Sequence, residues 1–161
     1  PTHCARTKEL FDEAIKFQKM GGYIDITSGG SQFMPLHEAI AYGLANGLNL
    51  ERLTMSSDGN GSVPKFNENG ELVGYGCASC ASNLEVLQAL VRNKILKIED
   101  ILALMSKNVA RYLNLSQKGE IKVGNDADLC VFDEELNLYD VIAKGEFCVK
   151  DEKVVKKGFF E

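Results

Sequence analysis

The sequence predicts an α/β fold in which parallel βα units are followed by a smaller, β-rich segment. Amphipathic helical patterns alternate with short β-branched runs in units of roughly 30 residues through the first two thirds of the chain. Short β-rich stretches broken by Gly, Asn and Asp follow. The composition, 45% hydrophobic and 25% charged, is typical of a globular chain. We therefore expect the parallel βα units over residues 1–116 and a separate small β-element over residues 117–161.

Capping residues and the spacing of apolar residues predict the first helices and strands. Thr7 is placed to cap a helix over residues 8–20, in which the apolar side chains lie on one face. The β-branched run over residues 23–27 predicts a buried strand. Pro35 suits the first turn of the next helix, and residues 53–56 form the next predicted strand. This strand, helix, strand order is the parallel βα alternation.

Two further helical patterns precede the β-rich segment. Ser82 to Glu85 has the spacing of a capping box before an apolar stripe, and a second helical pattern runs from Ile98 to Leu113. The predicted strands beyond these helices cover residues 129–132, 141–143 and 147–149, with a solvent-exposed edge strand over 153–157.

Charge and composition exclude several classes of partner. The chain has 161 residues, 18 basic and 23 acidic, for a formal net charge of −5, and its basic residues form no long run. We therefore expect no nucleic-acid partner. No apolar stretch approaches the roughly 18 residues of a membrane span, so we expect no membrane partner and a cytoplasmic location. The five cysteines are odd in number and lack the spacing of a disulfide framework, which favours reduced thiols.

Chemistry in a parallel α/β fold lies on the loops that follow the strands, here residues 27–34 and 57–80. Asp58 follows the strand over 53–56 and precedes Gly59. An aspartate in this place can bind a divalent cation and exchange a proton with water on that cation. Asp-Gly and Asn-Gly are also common turn dipeptides, so the pattern alone leaves a structural interpretation open.

The residues before the first helix offer two more candidates. His3 precedes the first predicted helix, which is the position of a residue just after a barrel strand. A lone histidine is, however, more often structural. Arg6 could hold a substrate carboxylate with its planar fork, or pair with a neighbouring acid. His37 is the only other histidine, so the chain cannot by itself complete a site that needs several imidazoles.

Five motifs carry a family resemblance: Pro-Thr-His-x-x-Arg at 1–6, Gly-Gly-x-Ile-Asp-Ile-Thr-Ser at 21–28, Ser-Ser-Asp-Gly-Asn-Gly-Ser at 56–62, Gly-Glu-Ile-x-x-Gly-Asn-Asp-Ala-Asp-Leu at 119–129 and Val-Lys-Lys-Gly-Phe-Phe-Glu at 155–161. Together they resemble the C-terminal part of the isoaspartyl dipeptidase (β-aspartyl dipeptidase) family, within the amidohydrolase superfamily. The motif at 119–129 is general to the superfamily, whereas those at 1–6 and 56–62 are more specific.

The resemblance implies the C-terminal portion of a (β/α)8 metal-dependent hydrolase barrel followed by part of a small β-domain. The implied activity is hydrolysis of β-aspartyl dipeptides by an enzyme with two zinc ions. By position, His3 corresponds to a zinc ligand, and Asp58 to a zinc ligand that also accepts the catalytic proton. Arg6 and Ser62 correspond to substrate contacts.

The resemblance also implies that the other zinc ligands precede Pro1. We therefore expect a C-terminal fragment that has an incomplete zinc site and is inactive alone, from a protein that forms a homo-oligomer. Two alternatives stay open. The parent could be another amidohydrolase that acts on cyclic amides or N-acyl compounds, or the chain could be a non-catalytic half-barrel that serves as an assembly piece.

Overall fold

The computed structural model describes residues 1–29 and 33–158, and the chain forms two compact units, Pro1–Val109 and Ala110–Glu161. The predicted domain limits, 1–116 and 117–161, lie near this division and stay a prediction. The helices are α1 (Lys8–Lys19), α2 (Leu36–Ala45), α3 (Ser82–Arg92), α4 (Ile98–Leu102) and α5 (Asn108–Tyr112). The strands are β1 (Ile24–Thr27), β2 (Leu53–Ser56), β3 (Ser62–Phe66), β4 (Leu72–Cys77), β5 (Leu129–Phe132), β6 (Leu138–Ala143), β7 (Glu146–Lys150) and β8 (Lys153–Val154).

Helix α1 forms where the sequence predicts it. The Thr7 hydroxyl accepts a hydrogen bond from the Leu10 N–H at 3.3 Å, which satisfies a free donor of the first turn. Gly21, at φ +98°, ends the helix in a conformation that favours glycine. Phe11 and Ile15 are buried on the inner face.

Strands β1 and β2 are parallel neighbours, as the βα alternation predicts, with Asp25 opposite Thr54 and Thr27 opposite Ser56. Because side chains alternate along a strand, the pair has two different faces. One face is apolar and buried, and consists of Ile24, Ile26, Leu53 and Met55. The other face is polar.

The N-terminal segment runs along β1 on the side opposite β2. Asp25 donates its backbone N–H to the Pro1 carbonyl at 2.9 Å and accepts from the Cys4 N–H at 3.2 Å, whereas the Ser28 N–H is directed to the Ser56 carbonyl of β2 at 2.8 Å. His3 therefore lies beside β1 at the same edge of the sheet as the loop that follows β2.

The predicted loop over 57–80 is only partly a loop, because β3 and β4 form an antiparallel hairpin within it. Every residue of β3 is exposed, so neither face shows the apolar alternation that identifies a strand in a sequence. The loop over 27–34 lies partly outside the described residues, as do the last three residues of the motif at 155–161.

The predicted capping box at Ser82 is wrong. Ala81 occupies the cap position and already has helical angles, φ −66° and ψ −20°, so Ser82 lies inside the first turn. The Ser82 hydroxyl instead donates to the Ser79 carbonyl at 2.8 Å and lies 2.6 Å from the Ser28 hydroxyl. The predicted helix from Ile98 to Leu113 is interrupted by a π-helical segment, Ala103–Lys107, between α4 and α5.

The second unit contains a four-stranded antiparallel sheet in the order β5-β6-β7-β8. Lys144 and Gly145, at φ +50° and +82°, form the tight turn between β6 and β7. Strand β6 begins three residues before the predicted stretch at 141–143, whereas β7 lies close to its predicted place. All five cysteines of the chain are free thiols. Within residues 1–29 and 33–158, no helix is long and apolar enough to cross a membrane.

Candidate active site at the strand ends

A cleft of about 420 Å³ opens in the first unit where β1 and β2 end. All four site residues predicted from the sequence, His3, Arg6, Asp58 and Ser62, line this cleft. Hydroxyl groups and the β3–β4 hairpin form much of the remaining wall. The structure thus brings together residues that are up to 59 positions apart in the sequence (62 − 3 = 59).

The backbone and a buried hydroxyl determine the position of His3. The residue has φ +57°, an uncommon value for a residue other than glycine, and its carbonyl accepts the Arg6 N–H at 3.1 Å. The ring Nδ1 lies 2.8 Å from the hydroxyl oxygen of Thr27, which is 5% exposed at the end of β1. This hydrogen bond orients the ring and leaves Nε2 available for another contact.

Asp58 lies two residues beyond the end of β2, at φ +53°, and is exposed to the cleft. The Gly61 N–H donates to the Asp58 carbonyl at 2.8 Å. A Cβ atom at Gly61 would lie 2.8 Å from that carbonyl oxygen and 2.9 Å from the carboxylate Oδ2. A side chain there would therefore displace the Asp58 backbone or carboxylate, which is why this turn requires glycine.

Arg6 and Ser62 enter the cleft from different elements. Arg6 precedes α1 and is exposed, and its guanidinium forms no ion pair with the residues that the structure describes. Its charge is therefore available to an anionic ligand. Ser62 is the first residue of β3 and pairs with Cys77, so its position depends on the hairpin that the sequence did not predict.

Asp25 is a site-supporting residue that the sequence analysis missed. Its carboxylate accepts hydrogen bonds from three hydroxyls, those of Thr2 at 2.7 Å, Thr54 at 2.7 Å and Ser56 at 2.6 Å. These donors belong to the N-terminal segment and to β2, so the carboxylate joins both to β1. The available signal was a single acid within a β-branched run, on the strand face that also carries Thr27.

The cleft lining contains three side chains of the types that bind zinc, the His3 imidazole, the Asp58 carboxylate and the exposed Cys77 thiol. A catalytic zinc ion usually takes three protein ligands. In the described part of the chain, no group of three or more His, Cys, Asp or Glu side chains is arranged to hold a metal ion. The residues present therefore fit part of a metal site. The zinc-ligand roles that the family resemblance implies for His3 and Asp58 stay a prediction.

Comparison with known proteins relates the chain to the amidohydrolase family. The amidohydrolase family profile matches residues 3–159. A crystal structure of β-aspartyl dipeptidase from Fervidobacterium islandicum in complex with a β-Asp-Leu dipeptide is 36% identical, with a TM-score of 0.81. It aligns with 99% of this chain, which covers 42% of the dipeptidase. A second structure of β-aspartyl dipeptidase from that organism is 31% identical over 99% of this chain and 40% of its own, with a TM-score of 0.78.

More distant relatives share the fold alone. N-acetylglucosamine-6-phosphate deacetylase from Pasteurella multocida is 18% identical over 78% of this chain and 36% of its own, with a TM-score of 0.59. The matches confirm the predicted α/β fold as part of an amidohydrolase barrel, and the chain spans less than half the length of the solved relatives it matches. The chain belongs to the amidohydrolase family.

Proposed function

We propose that this chain supplies part of the active site of a zinc-dependent hydrolase of β-aspartyl dipeptides, within a longer polypeptide. The observation that carries the proposal is the meeting of His3, Arg6, Asp58 and Ser62 in one cleft at the strand ends. The similarity to a β-aspartyl dipeptidase solved with β-Asp-Leu supports this choice of substrate.

His3 and Asp58 are the residues of this chain that would hold zinc. The hydrogen bond between Thr27 and Nδ1 of His3 leaves Nε2 as the ligand atom, and Asp58 offers a carboxylate oxygen. A bound zinc ion would lower the pKa of its bound water and polarise a carbonyl group. The remaining ligands come, in this proposal, from residues that precede Pro1 in the longer protein.

The chain's own residues perform three tasks in the proposed reaction. The Asp58 carboxylate accepts the proton of the attacking water and returns it to the leaving amine, as suits an exposed general base beside the substrate. The Arg6 guanidinium holds a substrate carboxylate through two parallel hydrogen bonds. The Ser62 hydroxyl donates a hydrogen bond to the substrate from the base of the hairpin.

The direct test is hydrolysis of β-Asp-Leu by the longer protein, with α-Asp-Leu as the matched control. We expect cleavage of the β-linked dipeptide and little cleavage of the α-linked one. Preferred cleavage of a cyclic amide or an N-acyl amino acid would assign the chain to a different amidohydrolase reaction. In the same assay, Arg6→Lys is expected to raise KM more than it lowers kcat, because lysine keeps the charge and loses the planar fork.

The 161-residue chain alone is expected to lack a stoichiometric two-zinc centre and peptidase activity. His3 and Asp58 are only two proposed ligands where a catalytic zinc usually takes three, and the described residues contain no group of three or more His, Cys, Asp or Glu that could hold a metal ion. Metal analysis of the purified, dialysed chain tests this. Two tightly bound zinc ions per chain together with hydrolysis of β-Asp-Leu would show that the site is complete without further residues. That the protein forms a homo-oligomer stays a prediction, which light scattering can test.

A further inference from the structure

We propose that Lys65 is a specificity-determining residue that binds a second carboxylate of the substrate, the one that Arg6 does not hold. The inference rests on the proposed function and extends it to how the dipeptide is oriented. A β-aspartyl dipeptide has two carboxylates at neutral pH, one on the aspartyl α-carbon and one at the C-terminus. The cleft correspondingly contains two cationic side chains, Arg6 and Lys65.

The Lys65 side chain lines the cleft and folds back along the hairpin. Lys65 pairs with Gly74 on β4, whereas Val63 pairs with Gly76, two residues nearer the base of the hairpin. A Cβ atom at Gly76 would lie 2.9 Å from Lys65 Cε and 3.6 Å from Nζ. The lysine side chain therefore lies back across Gly76 toward the base of the hairpin, on the face of β3 opposite to the Ser62 side chain.

Glycine at position 76 leaves room for this path. A Cβ atom there would meet the far end of the lysine side chain, which would then have to shift. The ammonium is at the same time free for a ligand, because Lys65 forms no ion pair or side-chain hydrogen bond with the residues that the structure describes.

The charges along the cleft fit a ligand with two carboxylates. Its lining includes one carboxylate, on Asp58, and the two cations. Ser62 and Lys65 lie on the same strand, with the lysine Cα about 10 Å farther along it. When the β-carbonyl of the substrate lies near Asp58, Arg6, which precedes α1, can bind one carboxylate. Lys65, on the hairpin, can then bind the other carboxylate.

The test compares three substrates of the longer protein: β-Asp-Leu, the same dipeptide amidated at the aspartyl α-carboxylate, and the same dipeptide amidated at the C-terminus. Lys65→Met is expected to lower kcat/KM about tenfold on β-Asp-Leu and on one monoamide, and to leave the other monoamide unchanged. The unaffected monoamide identifies the carboxylate that Lys65 binds. Arg6→Met is expected to show the opposite preference between the two monoamides.

Two controls complete the experiment. Lys65→Arg is expected to keep most of the activity, because the positive charge remains, and Lys97→Met removes a lysine that does not line the cleft and should change nothing. Equal losses for Lys65→Met on all three substrates, or no loss on any, would overturn the role of Lys65. If the wild-type protein hydrolyses no β-aspartyl dipeptide, the proposed function itself fails, and that result is visible before any variant is measured.

Discussion

The two units of the chain differ in how their strands are held. In the first unit, the inner faces of β1 and β2 contain fully buried side chains such as Ile26 and Leu53, and the opposite face carries the hydroxyl groups bound to Asp25. In the second unit, Ala110 is the only buried apolar residue that the structure describes, and the strands are half-buried or exposed. Polar contacts there remain accessible to water, as in the ion pair between Lys118 and Asp126 at 2.7 Å, whose side chains are about one third exposed.

This difference shows why the candidate site lies in the first unit. Catalytic groups must be held by side chains that packing and hydrogen bonds have already fixed. Strands β1 and β2 are fixed on both faces, by a core and by a carboxylate with three hydrogen bonds, whereas surface ion pairs contribute little to rigidity or stability.

The largest effect is expected at Asp58. In the proposed enzyme, Asp58→Asn keeps the shape of the side chain and removes the proton acceptor, so kcat should fall about 10²-fold or more. Asp140→Asn in the second unit is the matched control, because its amide oxygen can still accept the Asp151 N–H. Steady-state kinetics with a thermal melt of each variant tests this, and near-wild-type turnover of Asp58→Asn would reject the role.

Because Ile26 and Ile142 differ in burial, replacing each by alanine should lower the free energy of unfolding by different amounts. Ile26 is 0% exposed, so Ile26→Ala should destabilise the first unit by about 2–5 kcal/mol. Ile142 on β6 is only half-buried, so Ile142→Ala should destabilise the second unit by about half the free energy expected for Ile26→Ala, or less. Amide hydrogen exchange measures the opening of each unit separately. Similar costs at the two positions would contradict the difference in burial.

The hydrogen bond from Thr27 to His3 should have a smaller, local effect. In the wild type, we expect Nδ1 of His3 to carry the proton and donate it to Thr27, and Thr27→Val should remove this preference between tautomers. Thr27→Ser should retain it. Because the chain has two histidines, ¹⁵N spectra resolve the His3 ring with His37 as internal control. Zinc affinity of the longer protein should fall about tenfold in Thr27→Val. An unchanged His3 spectrum would show that other contacts orient the ring.

The smallest effect is expected in the second unit, at Asp128. The Lys118 ammonium and the Lys144 backbone N–H lower the pKa of this carboxyl below its ordinary value of 3.8. A lowered folded-state pKa stabilises the fold above the ordinary value, and this contribution is lost as the pH falls through the folded pKa. The stability difference between wild type and Asp128→Asn should therefore be present near neutral pH and disappear well below 3.8.

Urea denaturation at neutral and acidic pH measures this difference for the second unit. Because the pair is exposed, the effect should be small and should decrease further with added salt. A difference that persists in acid would mean that Asp128 acts through its shape, not its charge.

Much of the first unit was predictable because its signals are local. Thr7 caps α1, the β-branched run forms β1, and the Asp-Gly pair at Asp58 follows β2, each within a few residues of its cause. The hairpin was not predictable, since its strands are exposed and carry no apolar alternation. Ser82 was assigned as a cap by its spacing, but a cap depends on backbone angles that the neighbouring chain sets.

By itself, the sequence determined the order of the helices and strands outside the β3–β4 hairpin, and placed His3 before α1 and Asp58 after β2, because periodicity and turn residues act between near neighbours. Only the tertiary structure decided that these residues share a cleft with Arg6, Ser62 and Lys65, and that Asp25 joins the strands beneath it. Thr54 and Ser56 lie 29 and 31 positions from the carboxylate they bind. Contacts over such distances arise when the buried faces of β1 and β2 pack and bring the strands into register, and no local pattern encodes that register.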